Sequence, residues 1–291
     1  MIIEIDHKSG FCFGVVKAIA AAEEGIASEE PIQCLGDIVH NSHEVKRLSD
    51  RGLQVITRDD MQKMEGTRVM IRAHGEPPET YELARKQNIR VIDATCPIVL
   101  KLQQRVKKGA QEMQEAEGYV YILGKEGHAE VVGLMGQTGR RARVIQNVDD
   151  LKDADFSRPS RLYAQTTEDP EKLKTVAAYI EDRYRAAGYD PATMFKAHDT
   201  ICRQVSNRGI EIREFAGRFD LVIFVSDPKS SNGKQLFEIC LKTNRRSYFV
   251  TGPEDLKKEW FTNTERVGIC GATSTPQWVM EAVRDRIREM S

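Results

Sequence analysis

Along the chain, short apolar runs of strand length alternate with longer stretches whose apolar residues recur every three or four positions, the spacing of one helix face. The first residues, Met1 to His7, read as a strand. After Cys12 the pattern predicts a helix over about 15–28, a strand Ile32 to Leu35, a polar loop Gly36-Asp37-Ile38-Val39-His40-Asn41, a helix, and a strand Leu53 to Ile56. A strand Val69 to Arg72 follows, ending in Ala73-His74-Gly75-Glu76, and a helix from Glu79 leads to Val91-Ile92 and Asp93-Ala94-Thr95-Cys96-Pro97, where the proline stops the strand. The same order then recurs: helix Ile98 to Gln114, strand Val120 to Leu123, loop Gly124-Lys125-Glu126-Gly127-His128-Ala129-Glu130, strands Ala142 to Ile145 and Leu162 to Ala164, then Gln165-Thr166-Thr167. A helix Pro170 to Ala187 leads to Cys202. The last round has a helix Val205 to Phe215, strand Leu221 to Val225, loop Ser226 to Asn232, strands Ser247 to Val250 and Val267 to Ile269, then Gly271-Ala272-Thr273-Ser274-Thr275-Pro276 and a terminal helix.

Strands and helices alternating at these lengths imply parallel sheets, whose working loops lie at the carboxyl ends of the strands. The order recurs although residue identity does not. The expectation is therefore an α/β protein of three similar modules, 1–96, 97–201 and 202–291, in a pseudo-threefold arrangement that points its functional loops at one centre. A single doubly wound sheet fits the same alternation.

Composition narrows the function. With 291 residues, 40% hydrophobic and 30% charged, the chain has the makeup of an ordinary globular protein large enough for two or three small domains. A formal charge of -1 leaves no broad basic surface for a nucleic-acid backbone or anionic lipid, so neither is an expected partner. No apolar run approaches the ~20 residues of a membrane helix, and the N-terminus does not read as an export signal. The expected location is the cytoplasm. There the six cysteines are kept reduced, which favours metal binding or catalysis over a disulfide framework.

Cys12, Cys96 and Cys202 each open a helical stretch, where amide N–H groups favour a thiolate. Three equivalent junctions in three modules point to one metal site, and three protein thiolates on an iron–sulfur cluster would leave one iron open to substrate. Cys34, Cys240 and Cys270 lie within apolar segments and read as packing residues. Among the histidines, His40, His74 and His128 fall in strand-end loops. Together with Ser230, Ser231, Asn232, Thr166, Thr167 and Ser274 they offer neutral donors suited to an oxyanion such as a diphosphate, although each Ser, Thr or Asn alone also fits helix capping. Glu130 is the carboxylate best placed to deliver protons, provided that burial raises its pKa.

The chain resembles the 4-hydroxy-3-methylbut-2-enyl diphosphate reductase family along almost its whole length. The resemblance rests on Gly10-Phe11-Cys12-Phe13-Gly14-Val15, Val39-His40-Asn41, Arg72-Ala73-His74-Gly75, Asp93-Ala94-Thr95-Cys96-Pro97, Gly127-His128 with Glu130-Val131, Gln165-Thr166-Thr167, Thr200-Ile201-Cys202, Ser230-Ser231-Asn232 and Ser274-Thr275-Pro276. It implies three α/β modules around a central [4Fe-4S] cluster held by Cys12, Cys96 and Cys202. It also implies diphosphate contacts from His40, His74, His128, Ser230, Asn232 and Ser274, with Ser231 in the same loop. Thr166 would hydrogen-bond near the substrate hydroxyl and work with Glu130 in proton transfer. The implied reaction is reductive dehydroxylation of the hydroxy-allylic diphosphate to isopentenyl and dimethylallyl diphosphate, with a ferredoxin or flavodoxin as electron donor.

The chain departs from the family pattern at Glu76, where an apolar residue is common, at Ala129, where proline is, and at Gln204-Val205, where an Ala-Thr pair is. The family's Asn-Ser-Ser-Asn-Ser loop is reduced to its Ser-Ser-Asn core, Ser230 to Asn232, followed by Gly233. Two other readings use the same residues: a zinc hydrolase with three cysteine ligands and Glu130 as base, and a non-catalytic module that binds phosphorylated ligands.

Overall fold

The computed structural model describes residues 1–28 and 30–290. In chain order the first elements are β1 (Ile2–Ile5), α1 (Phe13–Ala27), β2 (Ile32–Leu35), α2 (Ser42–Asp50), β3 (Gln54–Ile56), α3 (Arg58–Met61), β4 (Arg68–Ile71), α4 (Pro78–Lys86) and β5 (Arg90–Asp93). Next come α5 (Pro97–Glu115), β6 (Tyr119–Leu123), α6 (Ala129–Gln137), β7 (Arg143–Ile145), β8 (Ser160–Ala164), α7 (Pro170–Ala186), α8 (Pro191–Met194) and β9 (Phe195–His198). The last are α9 (Arg203–Ala216), β10 (Leu221–Val225), α10 (Ser231–Thr243), β11 (Ser247–Val250), β12 (Arg266–Gly271) and α11 (Gln277–Met290).

The strands form three four-stranded sheets: β1-β12-β10-β11, a second built from β2 to β5, and β7-β6-β8-β9. The pairing is parallel, as the alternation of strands and helices requires, with Leu221 beside Val267 in the first sheet, Arg68 beside Arg90 in the second and Tyr119 beside Ser160 in the third. By its internal contacts the chain divides into two units, Met1–Val55 with Arg203–Ser291, and Ile56–Cys202. No helix among the described residues is long and apolar enough to cross a membrane.

Each unit's core follows from the two faces of its central strands. All five residues of β10 are buried. Leu221, Ile223 and Val225 project into a cluster with Val279, Val283 and Ile287 of α11, whereas Val222 and Phe224 project into one with Phe215, Leu236 and Cys240. The strand is a continuous apolar run because helices cover both its faces. In the other unit β6 behaves alike: Tyr121 and Leu123 meet Val176 and Ile180 of α7, while Val120 and Ile122 meet Leu102 and Val106 of α5. Each fully buried aliphatic side chain of this kind stabilises by roughly 1.5–3 kcal/mol relative to exposure.

Several segments differ from the sequence pattern, among them the short helices α3 and α8. β1 pairs with β12, bringing the chain's first strand to its last. β9 is an extra edge strand, short and half polar. Helices α6 and α10 begin inside the stretches read as the loops of His128 and Ser230.

Candidate active site

In the unit Ile56–Cys202 the candidate residues sit where β4, β5, β6 and β8 end. Thr166 follows β8, and it binds both oxygens of Glu130: its N–H donates to Oε1 at 2.7 Å and its hydroxyl to Oε2 at 2.7 Å. Glu130 lies in the first turn of α6 and is 2% exposed. Burial pushes its carboxyl pKa up to about 7, outweighing the two Thr166 bonds, and the nearby Glu168 charge pushes the same way. A carboxyl with that pKa is poised to give and take a proton near neutrality. If it carries the proton, it can donate to Thr166 Oγ while that hydroxyl's own hydrogen turns elsewhere.

His128 caps α6, its Nδ1 accepting from the Glu130 N–H at 3.2 Å. An accepting Nδ1 leaves the ring hydrogen on Nε2, so His128 presents an N–H donor at its far edge. The His74 ring stands edge-on to it, with centroids 5.4 Å apart.

Cys96 and Cys202 share this setting. The Cys202 N–H donates to the Thr166 carbonyl at 2.9 Å, and the Thr200 hydroxyl bridges the Ala164 backbone, donating to its carbonyl at 2.7 Å and accepting its N–H at 2.9 Å. Cys96 is the N-cap of α5, with Pro97 at the first helical position and its own N–H donating to Ala73 at 3.0 Å. Burial raises the Cys96 thiol pKa, the amides of Ile98 and Val99 pull it down, and the charges of Cys202 and Glu130 add to the rise. Two half-buried thiols in one unit, one of them at the N-terminus of α5, suit a metal that supplies positive charge to their thiolates.

Gly75 fixes the His74 loop. Its φ is +71°, and a Cβ there would lie 2.7 Å from Gln103 Nε2 and 2.9 Å from Thr95 Cγ2, against the residue that precedes Cys96. Gly75→Ala should therefore cost about 2 kcal/mol of stability, from left-handed strain and crowding together. An unchanged urea midpoint would show that the loop tolerates a side chain.

In the unit Met1–Val55 with Arg203–Ser291, Cys12 is the N-cap of α1 and its N–H donates to Thr273 at 3.0 Å. The turn before it is anchored by a buried group: Arg208 Nη2 binds Asp6 Oδ2 and Ser9 Oγ, and Ser9 Oγ accepts the Gly271 N–H at 2.9 Å. Ser230 caps α10, accepting the Gly233 N–H at 3.0 Å, and its hydroxyl lies 3.2 Å from that of Ser274. Asn232 Oδ1 accepts from the Thr273 hydroxyl at 3.0 Å, which leaves the amide NH2 as the donor end. His40 directly precedes Asn41, the N-cap of α2, whose side chain accepts from Glu44 N–H at 3.1 Å. Lys125, Lys229 and Lys234 are exposed, so the polar groups lining these loops are mainly neutral donors.

The LytB protein family matches residues 3–288. The chain belongs to the LytB protein family. A relative from Bacteroides thetaiotaomicron named 4-hydroxy-3-methylbut-2-enyl diphosphate reductase is 49% identical over 286 residues, which are 98% of this chain and 97% of the relative. The Porphyromonas gingivalis protein of the same name is 46% identical over 290 residues, 99% of each chain. Among solved structures, one described as (E)-4-hydroxy-3-methyl-but-2-enyl diphosphate reductase, the terminal enzyme of the non-mevalonate pathway, is 33% identical with a TM-score of 0.71 and covers 99% of this chain and 100% of that one. The Plasmodium falciparum E-1-hydroxy-2-methyl-but-2-enyl-4-diphosphate reductase, 24% identical, shares the fold with a TM-score of 0.83, covering 98% of this chain and 87% of that one.

Within this LytB chain the structure brings together Glu130, Thr166, His128, Cys96 and Cys202 in one unit, and Ser230, Asn232 and Ser274 in the other. Ser231 is half-buried one residue into α10. Cys34, Cys240 and Cys270 are fully buried in β2, α10 and β12, as packing residues should be. Sequence reasoning missed the Arg208–Asp6–Ser9 group and the start of α6 directly after His128. The second had a signal: Val131 and Leu134, both buried, recur at helical spacing right after Glu130.

Proposed function

We propose that this chain reduces (E)-4-hydroxy-3-methylbut-2-enyl diphosphate to isopentenyl and dimethylallyl diphosphate. Two electrons and two protons enter, the carbon–oxygen bond breaks, and the hydroxyl leaves as water. The observation that carries the reading is the Glu130 carboxyl, buried, bound at both oxygens by Thr166 and held in the unit that contains Cys96 and Cys202. A dehydroxylase needs such a proton source beside a redox centre, because no side chain supplies electrons at the required potential.

The cysteines fit an iron–sulfur group by their chemistry: thiol side chains at helix N-termini, Cys202 close enough to Cys96 to raise its thiol pKa, and neither in a disulfide. Cys12, Cys96 and Cys202 would hold a [4Fe-4S] cluster, which when bound supplies electrons one at a time and a Lewis-acidic iron. The chain's own residues do the rest. Glu130 holds the proton and Thr166 passes it towards the substrate hydroxyl. His40, His74, His128, Ser230, Ser231, Asn232 and Ser274 bind the diphosphate through neutral donors, so that no set of cations has to be buried unpaired. A small ferredoxin or flavodoxin delivers the electrons, and the work is done in the cytoplasm.

Protein purified without oxygen should be brown, contain iron and sulfide, and convert the hydroxy-allylic diphosphate with a chemical reductant. Colourless protein carrying zinc, with no turnover after iron–sulfur reconstitution, would overturn the proposal.

A further inference from the structure

In the unit Met1–Val55 with Arg203–Ser291, two segments carry diphosphate-binding candidates: the His40 loop ahead of α2, and the loop from Ser226 to Asn232. One carboxylate ties them together. Asp227 is 3% exposed. Its Oδ2 accepts the backbone N–H of Ser42 at 2.9 Å and also the Ser42 hydroxyl, a contact 185 residues apart in sequence. Its Oδ1 accepts the Lys229 N–H at 2.8 Å, and its carbonyl accepts the Ser230 N–H at 2.9 Å. On the solvent side Lys229 Nζ lies 3.7 Å from Asp37 Oδ2, joining the same two segments a second time.

Local needs explain only Oδ1, which closes the turn to Lys229. α2 already has its cap in Asn41. Asp227 instead takes the first free amide of that helix, where an anion is favoured, and does so from the opposite segment. Burial works against its charge, yet the Ser42 and Lys229 donors hold the carboxyl below the usual range, so it stays an anion and keeps every acceptor site. The loop is also closely packed against the helix that follows it. A Cβ on Gly233 would lie 2.1 Å from Ser226 Oγ, so the start of α10 leaves no room for a side chain against the loop. Asp227 thus ties the segment that carries His40 to the one that carries Ser230 and Asn232.

We propose that Asp227 is a positioning residue for the diphosphate: without touching substrate, it locks the His40 loop to the Ser230–Asn232 segment and so governs affinity rather than the chemical step. The inference rests on the diphosphate role given to these residues above. Removing a hydrogen-bonded carboxylate of this kind should cost about tenfold in binding.

In cluster-loaded enzyme, Asp227→Ala should raise KM and the inhibition constant of inorganic pyrophosphate about tenfold while kcat stays within about threefold. Asp227→Asn, which keeps an acceptor for Ser42, should recover most of that loss, and Ser42→Ala added to Asp227→Ala should add nothing further. Unchanged pyrophosphate inhibition in Asp227→Ala, or a fall in kcat with KM constant, would overturn the inference. If Asp227→Ala does not fold, Ser42→Ala against Asp227→Asn reads the same contact, and additive effects of those two would also overturn it. His40→Ala and Ser230→Ala separate the two failures. If they leave pyrophosphate inhibition unchanged, the diphosphate reading itself is wrong; if they weaken it and the Asp227 variants do not, only the positioning role is.

Discussion

Replacing Glu130 by glutamine should lower kcat at least about a hundredfold, the usual worth of a positioned proton donor, while iron and sulfide content and pyrophosphate affinity stay near normal. The substitution suits the test because it keeps size and hydrogen bonding. A glutamine oxygen can still accept the Thr166 N–H, now at 2.7 Å from Oε1, and the Thr166 hydroxyl can rotate to accept from the new NH2. Only the transferable proton is lost. Near-normal turnover would remove Glu130 from the mechanism.

The same substitution has a second readout in stability, and its sign is fixed by burial. The folded carboxyl titrates at about 7 against an ordinary 4.5, so between these values the folded chain binds more protons than the unfolded one. Stability from this group is fully present below pH 4.5, declines as pH rises towards 7, and is absent above. Glutamine abolishes that slope. Compared with the parent, Glu130→Gln should unfold at a higher denaturant midpoint at pH 8, by up to about 3 kcal/mol, and nearly equally at pH 4. An enzyme that loses turnover and gains stability at high pH has its carboxylate buried for function rather than for folding.

Most of the fold was legible because the central strands carry their burial in their composition. β10 and β6 are apolar along their whole length, and α5 shows its core face as Val99, Leu102 and Val106 at helical spacing. The beginning of α6 was only weakly legible, in the spacing of Val131 and Leu134. Its sequence contains Gly133 and Gly136, which weaken a helix in isolation, but here both make room for neighbours: a Cβ would lie 3.0 Å from Gln103 Nε2 at the first and 2.3 Å from Pro77 Cβ at the second. Tertiary packing therefore selects residues that local propensity counts against. The pairing of β1 with β12 was hidden for another reason, since two strands at opposite ends of a chain share no local signal. Nothing in the sequence sets Asp227 apart within its loop, and the structure shows it buried against Ser42. At the site, Glu130 and the cysteines stood out by residue type and position. The tautomer of His128 and the double grip of Thr166 on Glu130 needed the structure.

Replacing Cys96 by serine should leave a folded protein that cannot hold a normal cluster, and this separates metal binding from folding. Cys96 occupies an N-cap and makes no capping bond through its side chain, while serine is among the best N-cap residues, so α5 should be as stable as before or up to about 1 kcal/mol more so. The sulfur is what cannot be replaced. A serine hydroxyl is a far weaker acid and a harder donor than a thiol, so it offers iron neither the charge nor the softness of a thiolate. The expected result is an unchanged far-UV spectrum and, against the cluster-free parent, an equal or slightly higher urea midpoint, with loss of visible absorption, of most iron and sulfide, and of essentially all turnover. Cys240→Ala supplies the contrast. That sulfur is fully buried between Ser247 and the packed face of β10, so its removal should cost about 1–2 kcal/mol of stability and leave iron content intact. If Cys96→Ser retained a full, active cluster, the sulfur of Cys96 would not be a ligand. Cys96 and Pro97 would then be doing no more than starting a helix.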